Sequence, residues 1–272
     1  MSVRSAIINV MEGAARKAAR SLVHDFGEVE QLQVSKKGPG DFVTNADLKS
    51  EKILRKELRR ARPDYGFLLE ESGAEEGTDP DNTWLVDPLD GTSNFLHGNP
   101  HFSITIALRR EGKTQAGIIL DPIQDEFFWA ERGGGAFLND RRLRVSARKQ
   151  LAEALVAFGE PFGGRPGKKS IAEVLPRVME KTAGLRRTGA AAQDLAYVAA
   201  GRFDAYWEEG LKPWDMAAGI LLVQEAGGYV TEIGGGKNML ETGSVLATND
   251  RLYPTVAKLL REAYAAASTV TD

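Results

Sequence analysis

A short apolar run, Trp84-Leu85-Val86, hands the chain over to Asp87-Pro88-Leu89-Asp90-Gly91-Thr92-Ser93-Asn94-Phe95, and few folds have a use for that order of residues. The run is long enough only for the end of a buried strand. Pro88 fixes its own φ and carries no N–H, so it breaks the strand beside Asp87. Gly91 tolerates dihedrals that other residues avoid. Thr92 and Ser93 suit the start of a helix, whose free N–H groups would face the same spot as the two acids. Strand end, paired acids, glycine and helix start form a plan for holding a phosphate beside a cation. An acidic turn favours these same residues. The rest of the chain has to decide between the two readings.

The totals narrow the field. A chain of 272 residues suffices for one large domain or two small ones. A net charge of −3 leaves no basic footprint for nucleic acid, so an anionic ligand must be met locally. Cysteine is absent, which removes disulfides, thiolate metal sites and cysteine nucleophiles together. Only three histidines occur, so a histidine-rich zinc site is disfavoured. No apolar run reaches the length of a membrane span, and the N-terminus lacks a signal-peptide core. A cytoplasmic protein that works with oxygen ligands is expected.

Along the chain, Ile7, Met11, Ala14, Ala15, Ala18 and Leu22 form one stripe of a helix over residues 3–26. Leu32 to Lys36 is a strand stopped by Gly38-Pro39-Gly40. Thr44 opens a second helix running to Arg62, and with Asp47 it has the spacing of a capping box. Phe67-Leu68-Leu69 is a buried strand ending in Glu70-Glu71. Neighbours on a strand point to opposite faces, so those two glutamates do not enter one site together. Residues 73–82 read as an acidic, mobile flap. Residues 102–108, 115–120 and 126–132 read as strands of an antiparallel meander.

Beyond Val145 a strand is expected at 154–158 and helices at 168–183 and 190–200. A further strand follows at 203–208, then a helix at 213–226 with Pro213 in its first turn. A last strand at 245–247 precedes a last helix at 250–267. No long linker occurs, so two intimately packed halves, 1–150 and 151–272, are expected. The first carries most of the candidate ligands. Layered α and β structure of the α+β class follows.

Three motif look-alikes fail. Residues 163–170 resemble a phosphate-binding P-loop, but Phe162 stands where the first glycine belongs and Lys169 replaces the hydroxyl residue. His97 and His101 have the spacing of a helical metal face, yet Gly98, Asn99 and Pro100 would break that helix. The aspartyl-phosphate phosphatases need Asp-x-Asp-Gly-Thr. Here the two acids are one residue further apart and Pro88 intervenes.

Glu70, Asp87, Asp90 and Asp215 each sit at a strand end or helix start, where layered αβ folds place ligand sites. Converging carboxylates would repel each other and a phosphate, so hard cations are required. Magnesium suits an all-oxygen shell, and a pair of such ions serves water attack and the leaving oxygen at once.

With these stretches in hand, the chain resembles the magnesium-dependent inositol monophosphatases, members of a lithium-sensitive phosphatase superfamily. The resemblance covers nearly the whole chain. It is carried by residues 38–47, by Leu69-Glu70-Glu71-Ser72, by Trp84 to Phe95 and by Pro213-Trp214-Asp215-Met216-Ala217-Ala218-Gly219. It implies an αβαβα sandwich of the sugar phosphatase type, with mixed or antiparallel sheets between helix layers. It implies two or three Mg²⁺ ions held by Glu70, Asp87, Asp90, Asp215 and the Leu89 carbonyl. Thr92, with Asp47 behind it, would work with Glu70 on the attacking water, and the N–H groups of Gly91 and Thr92 would hold the phosphate. Leu89, Asp90 and Asp215 would also border the substrate. Gly189, Ala190, Ala191 and Glu208 would line its sugar-alcohol side, and Lys36 matches a lysine near a loop over the third metal position.

Family members often carry Thr or Ser where Ala190 stands, so one side-chain hydrogen bond to substrate is missing here. The implied reaction is hydrolysis of inositol monophosphate by direct attack of water, in a homodimer. Relatives acting on sugar, nucleotide or histidinol phosphates are the enzymatic alternative. Similar bacterial proteins also act as partners in transcription and ribosome assembly, a role of a different class.

Overall fold

The computed structural model describes residues 4–28, 34–38, 41–160 and 171–268. Two helices come first in space, α1 (Ala6–Phe26) and α2 (Asn45–Ala61), with the pair β1 (Val34–Gly38) and β2 (Asp41–Thr44) between them in sequence. The apolar stripe of α1 lies as its periodicity demands: Met11, Ala14, Ala15, Ala18 and Leu22 are buried, joined by Ile8, while Ile7 is half-buried. The Ser5 hydroxyl starts α1 by accepting the Ile8 N–H. Thr44 and Asp47 form the anticipated capping box on α2.

An eight-stranded sheet packs against these helices. Its strands are β3 (Tyr65–Leu69), β4 (Gly73–Glu75), β5 (Asp79–Asp90), β6 (Ser103–Arg110), β7 (Lys113–Asp121), β8 (Glu126–Glu131), β9 (Gly135–Leu138) and β10 (Arg141–Arg142). They lie in the order β10-β9-β8-β7-β6-β5-β3-β4, antiparallel except for β3 beside β5. The meander from β6 to β10 is as read from the alternating apolar pattern. Residues 73–82, expected as a flap, instead supply β4 and the start of β5. Polar composition misleads there because β4 is a half-exposed edge strand that needs no apolar face.

Both faces of this sheet are covered, and the pleat sorts its side chains between two cores. Trp84, Val86, Ile104, Ile106, Ile118, Phe127 and Trp129 face α1 and α2. Leu85, Ala107, Ile119 and Phe128 face the opposite way, toward α5 (Ala191–Ala199) and α6 (Pro213–Glu225). Each large apolar side chain fully removed from water contributes about 1.5–3 kcal/mol. Residues Met216 to Val223 of α6 are all buried, as befits a helix in a middle layer. Small residues let it sit close: a Cβ on Gly117 of β7 would stand 2.8 Å from the Ala218 Cα.

Beyond α5 and α6 lies a five-stranded sheet ordered β12-β11-β13-β15-β14. Its strands are β11 (Leu155–Phe158), β12 (Gly184–Arg186), β13 (Ala205–Glu208), β14 (Gly228–Thr231) and β15 (Val245–Asn249). Helices α4 (Ile171–Met179) and α8 (Tyr253–Ser268) cover its far face with a third core that includes Val156, Trp207 and Leu260. The order helix, sheet, helix, sheet, helix is the expected αβαβα sandwich. Two single-turn helices, α3 (Thr92–Leu96) and α7 (Met239–Thr242), complete the fold. The P-loop look-alike at 163–170 and the first residues of the helix expected at 168–183 lie outside the described residues.

Candidate active site

The site is built on an irregularity. Asp87 and Asp90 are an odd number of residues apart, so a regular strand would aim them at opposite faces of the sheet. Asp87 pairs with Thr105 of β6, but Asp90 pairs with Ser103: one extra residue on β5 is accommodated between them. This bulge contains Pro88, which has no N–H to offer the ladder. Strand β5 thus continues through Pro88 rather than ending before it. The Ser50 hydroxyl of α2 pins the bulge by donating to the Pro88 carbonyl at 2.9 Å. Its effect is to turn both acids toward α5. Asp87 accepts the Leu89 N–H at 2.9 Å, and Asp90 accepts the N–H groups of Ala191 and Ala192 at 3.2 and 2.9 Å.

Glu70 follows β3 on the same face, its N–H donating to the Val86 carbonyl of β5 at 3.2 Å. Glu71 has its N–H on Glu51 of α2 at 2.8 Å and does not share the cavity wall with Glu70. The two glutamates are kept apart as anticipated, but β3 ends at Leu69, so the turn that follows it separates them rather than the pleat. Asp215 enters from the first turn of α6, where one of its oxygens accepts the Lys212 N–H at 2.7 Å.

These acids share the wall of a cavity of about 440 Å³. Glu70, Asp87, Leu89, Asp90, Gly91, Thr92, Gly189, Ala190, Ala191, Glu208 and Asp215 all line it. Among the predicted site residues whose side chains are described, only Asp47 does not. It is fully buried behind Thr92, whose hydroxyl lies 3.1 Å from Asp47 Oδ1 and 3.1 Å from the Leu89 carbonyl. Gly91 adopts φ +93°, and a Cβ there would meet the His101 carbonyl at 3.0 Å, so the turn requires glycine. The helix that follows has a single turn. Phosphate binding there would rest on individual N–H groups, with little macrodipole behind them.

The pair His97 and His101 forms no metal face: His97 is exposed with Nδ1 2.7 Å from the Ser93 carbonyl, and His101 packs edge-on to Tyr197. The side chain of Lys36 lies outside the described residues.

Sequence reasoning missed several wall residues, namely Gly159, Arg187, Thr188, Asp194, Lys212 and Trp214. Asp194 lies in the first turn of α5, and one of its oxygens accepts the Thr188 hydroxyl at 2.6 Å. An acid in a first helical turn reads simply as a good helix start, so only the fold reveals that it borders the cavity. Arg187 and Lys212 were equally inconspicuous. Both stand on the same wall as the acids, where Arg187 pairs at 3.8 Å with Glu160.

The electrostatics favour a cation. Burial pushes the Asp87 carboxyl well above its usual range, and the charges of Glu70, Asp90 and Asp215 push it further. Burial raises Asp90 to about 7 against the pull of the Ala192 N–H, with Glu208 adding to the rise. Asp47 is raised to about 6, again chiefly by burial. Among the described residues no three acidic or imidazole groups are drawn up as a finished metal cage. Glu70, Asp90 and Asp215 stand close enough to Asp87 for their charges to oppose its ionisation, a repulsion that a hard cation between them would relieve, and the donors are all oxygen. The residues fit such an ion.

The chain matches the inositol monophosphatase family over residues 4–265. It is 54% identical to an inositol-1-monophosphatase of Mesorhizobium japonicum, over 95% of this chain and 97% of the relative. It is 42% identical to the Nus factor SuhB of Escherichia coli, over 94% and 96% of the two chains. Among solved structures, the extragenic suppressor protein SuhB of Bartonella henselae superposes with a TM-score of 0.91 at 53% identity, covering 94% of this chain and 98% of that one. On its sequence and its fold alike, this chain belongs to the inositol monophosphatase family.

Proposed function

We propose that the cavity hydrolyses inositol monophosphate to inositol and phosphate with two or three Mg²⁺ ions. The observation that carries this reading is the β5 bulge, which turns Asp87 and Asp90 onto the wall already occupied by Glu70 and Asp215. Those four carboxylates and the Leu89 carbonyl would hold the ions, which when bound supply positive charge to the phosphate oxygens and lower the pKa of water.

The chain's own groups handle the proton. The Thr92 hydroxyl donates to Asp47, which leaves the Thr92 oxygen lone pairs free to accept a hydrogen bond from a water over the cavity. Glu70, on the adjacent wall, receives the second. Asp47 is held near 6, so above neutrality it is ionised and able to draw the Thr92 proton. The N–H groups of Gly91 and Thr92 orient the phosphate. Glu208 and the Gly189-Ala190-Ala191 backbone face the alcohol, and with alanine at 190 the contact is made by backbone alone. Water attacks phosphorus directly, and no aspartyl phosphate forms.

No helix among the described residues is long and apolar enough to cross a membrane, in keeping with work in the cytoplasm, and the family resemblance supports a homodimer. The test is turnover across a panel of phosphate monoesters. Preference for inositol monophosphate over sugar, nucleotide and histidinol phosphates supports the reading, and a stronger preference for any of the others replaces it.

Similarity to the Nus factor SuhB favours a second reading, a partner role in the transcription machinery that needs no catalysis. A pull-down with an Asp90→Asn variant separates the two, since a binding role would survive loss of turnover.

A further inference from the structure

Glu208 ends β13 on the face turned toward the cavity, and its position depends on what the neighbouring strand lacks. Strand β11 runs parallel to β13 with Phe158 beside Trp207, so the next residue, Gly159, lies beside Glu208. The Gly159 N–H donates to the Trp207 carbonyl at 3.0 Å and locks that alignment. Paired residues on adjacent strands project to the same side. A Cβ on Gly159 would stand 1.7 Å from Glu208 Oε2, 2.0 Å from its Cδ and 2.5 Å from Oε1. The carboxylate of Glu208 therefore occupies the space of the missing side chain. The buried Tyr206 hydroxyl, two residues earlier on the same face, donates to Oε2 and holds it there. Asp194 stands close enough for its charge to be felt by Glu208 and Tyr206, and it opposes a shift of the carboxylate in its direction.

We propose that residue 159 determines specificity. Glycine there leaves the seat in which Glu208 is presented to the alcohol portion of the substrate, and any side chain would evict it. The proposal rests on the reading of Glu208 as the alcohol-side acceptor. Gly159 is not in the left-handed region, so alanine fits its backbone. The atoms displaced belong to the end of a flexible side chain, so Gly159→Ala should still fold cooperatively, its melting temperature lowered by no more than the loss of the Tyr206 hydrogen bond. What it moves is the carboxylate.

The experiment compares kcat/KM for inositol 1-phosphate and 4-nitrophenyl phosphate in Gly159→Ala, Glu208→Gln and the double variant. The ratio of the two should fall roughly ten-fold or more in Gly159→Ala, chiefly through KM for the inositol ester, as for a lost charge-assisted hydrogen bond. Adding Glu208→Gln to Gly159→Ala should change the ratio little further, because the acceptor has already left its seat. Shortening the acid, in Gly159→Ala with Glu208→Asp, should recover part of the loss. An unchanged ratio in Gly159→Ala overturns the proposal, and so do independent, multiplying effects of the two substitutions. If the wild type ignores inositol 1-phosphate, it is the functional reading that fails. The same variants are then measured on the best polyol phosphate of the panel, where non-additive loss supports the seat and additive loss overturns it.

Discussion

Replacing Asp47 by asparagine should move stability and activity in opposite directions. Asp47 has two duties: one oxygen accepts the Thr44 N–H at 2.8 Å as the α2 cap, and the other faces the Thr92 hydroxyl at 3.1 Å. Asparagine keeps the shape, with its carbonyl on Thr44 and its amide on Thr92. The amide donates, however, so the Thr92 proton must turn to the Leu89 carbonyl, also 3.1 Å away. The path that draws that proton inward is lost, and kcat should fall by about 10²–10⁴.

Stability follows the buried charge. A carboxyl at about 6 in the fold and near 3.8 when unfolded makes the folded protein less stable as pH rises through that interval. The penalty reaches about 3 kcal/mol at pH 8 and is only about 0.5 kcal/mol at pH 4. Asparagine removes it at the smaller cost of burying a hydrogen-bonded amide, about 1 kcal/mol. Urea unfolding in chelator should therefore find Asp47→Asn about 1–2 kcal/mol more stable than wild type at pH 8, with no such gain at pH 4. Kinetics with magnesium supply the other half. A variant that keeps its activity, or that loses activity and α2 together, would reduce Asp47 to a helix cap.

Other outcomes follow from the same geometry. The metal-free protein should lose stability as pH rises from about 4 to about 7, since Asp47 and Asp90 are both raised by burial. Saturating magnesium should offset the loss most at the upper end, which melting curves across pH would record. Glu208→Gln should weaken inositol monophosphate by roughly 1.5–3 kcal/mol in kcat/KM relative to an aryl phosphate; equal loss on both substrates would move Glu208 into the framework. Rapid quenching with labelled substrate should leave no label on the protein, and stable label on Asp87 or Asp90 would overturn direct attack by water.

Much of the fold was readable because periodicity and burial agree here. The stripe of α1 and the meander put apolar residues where two cores need them, and the capping box of α2 marks where that helix starts. The acids of the site were readable for a different reason: Glu70, Asp90 and Asp215 stand where an element ends or starts, and Asp87 sits beside a proline that cannot join a regular ladder. Their convergence was not. Asp87 and Asp90 share a face only because β5 bulges, and nothing local to Pro88 distinguishes a bulge from a strand end. Asp90 also holds the first N–H groups of α5 about a hundred residues later, a long-range contact with no local signature. Asp194 and Gly159 were hidden because each looks ordinary in its own segment, one as a helix start and the other as a loop glycine. Residues 73–82 were misread since an edge strand shows no apolar alternation.

The central claim is that the carboxylate wall works by holding cations. It is tested most directly by following turnover of inositol monophosphate while magnesium is returned to chelator-treated enzyme, wild type beside Asp90→Asn. Wild type should be inactive in chelator and recover as magnesium is added. Asp90→Asn should stay inactive on every phosphate monoester, having lost a charged ligand. Full activity of the wild type in chelator would contradict the account.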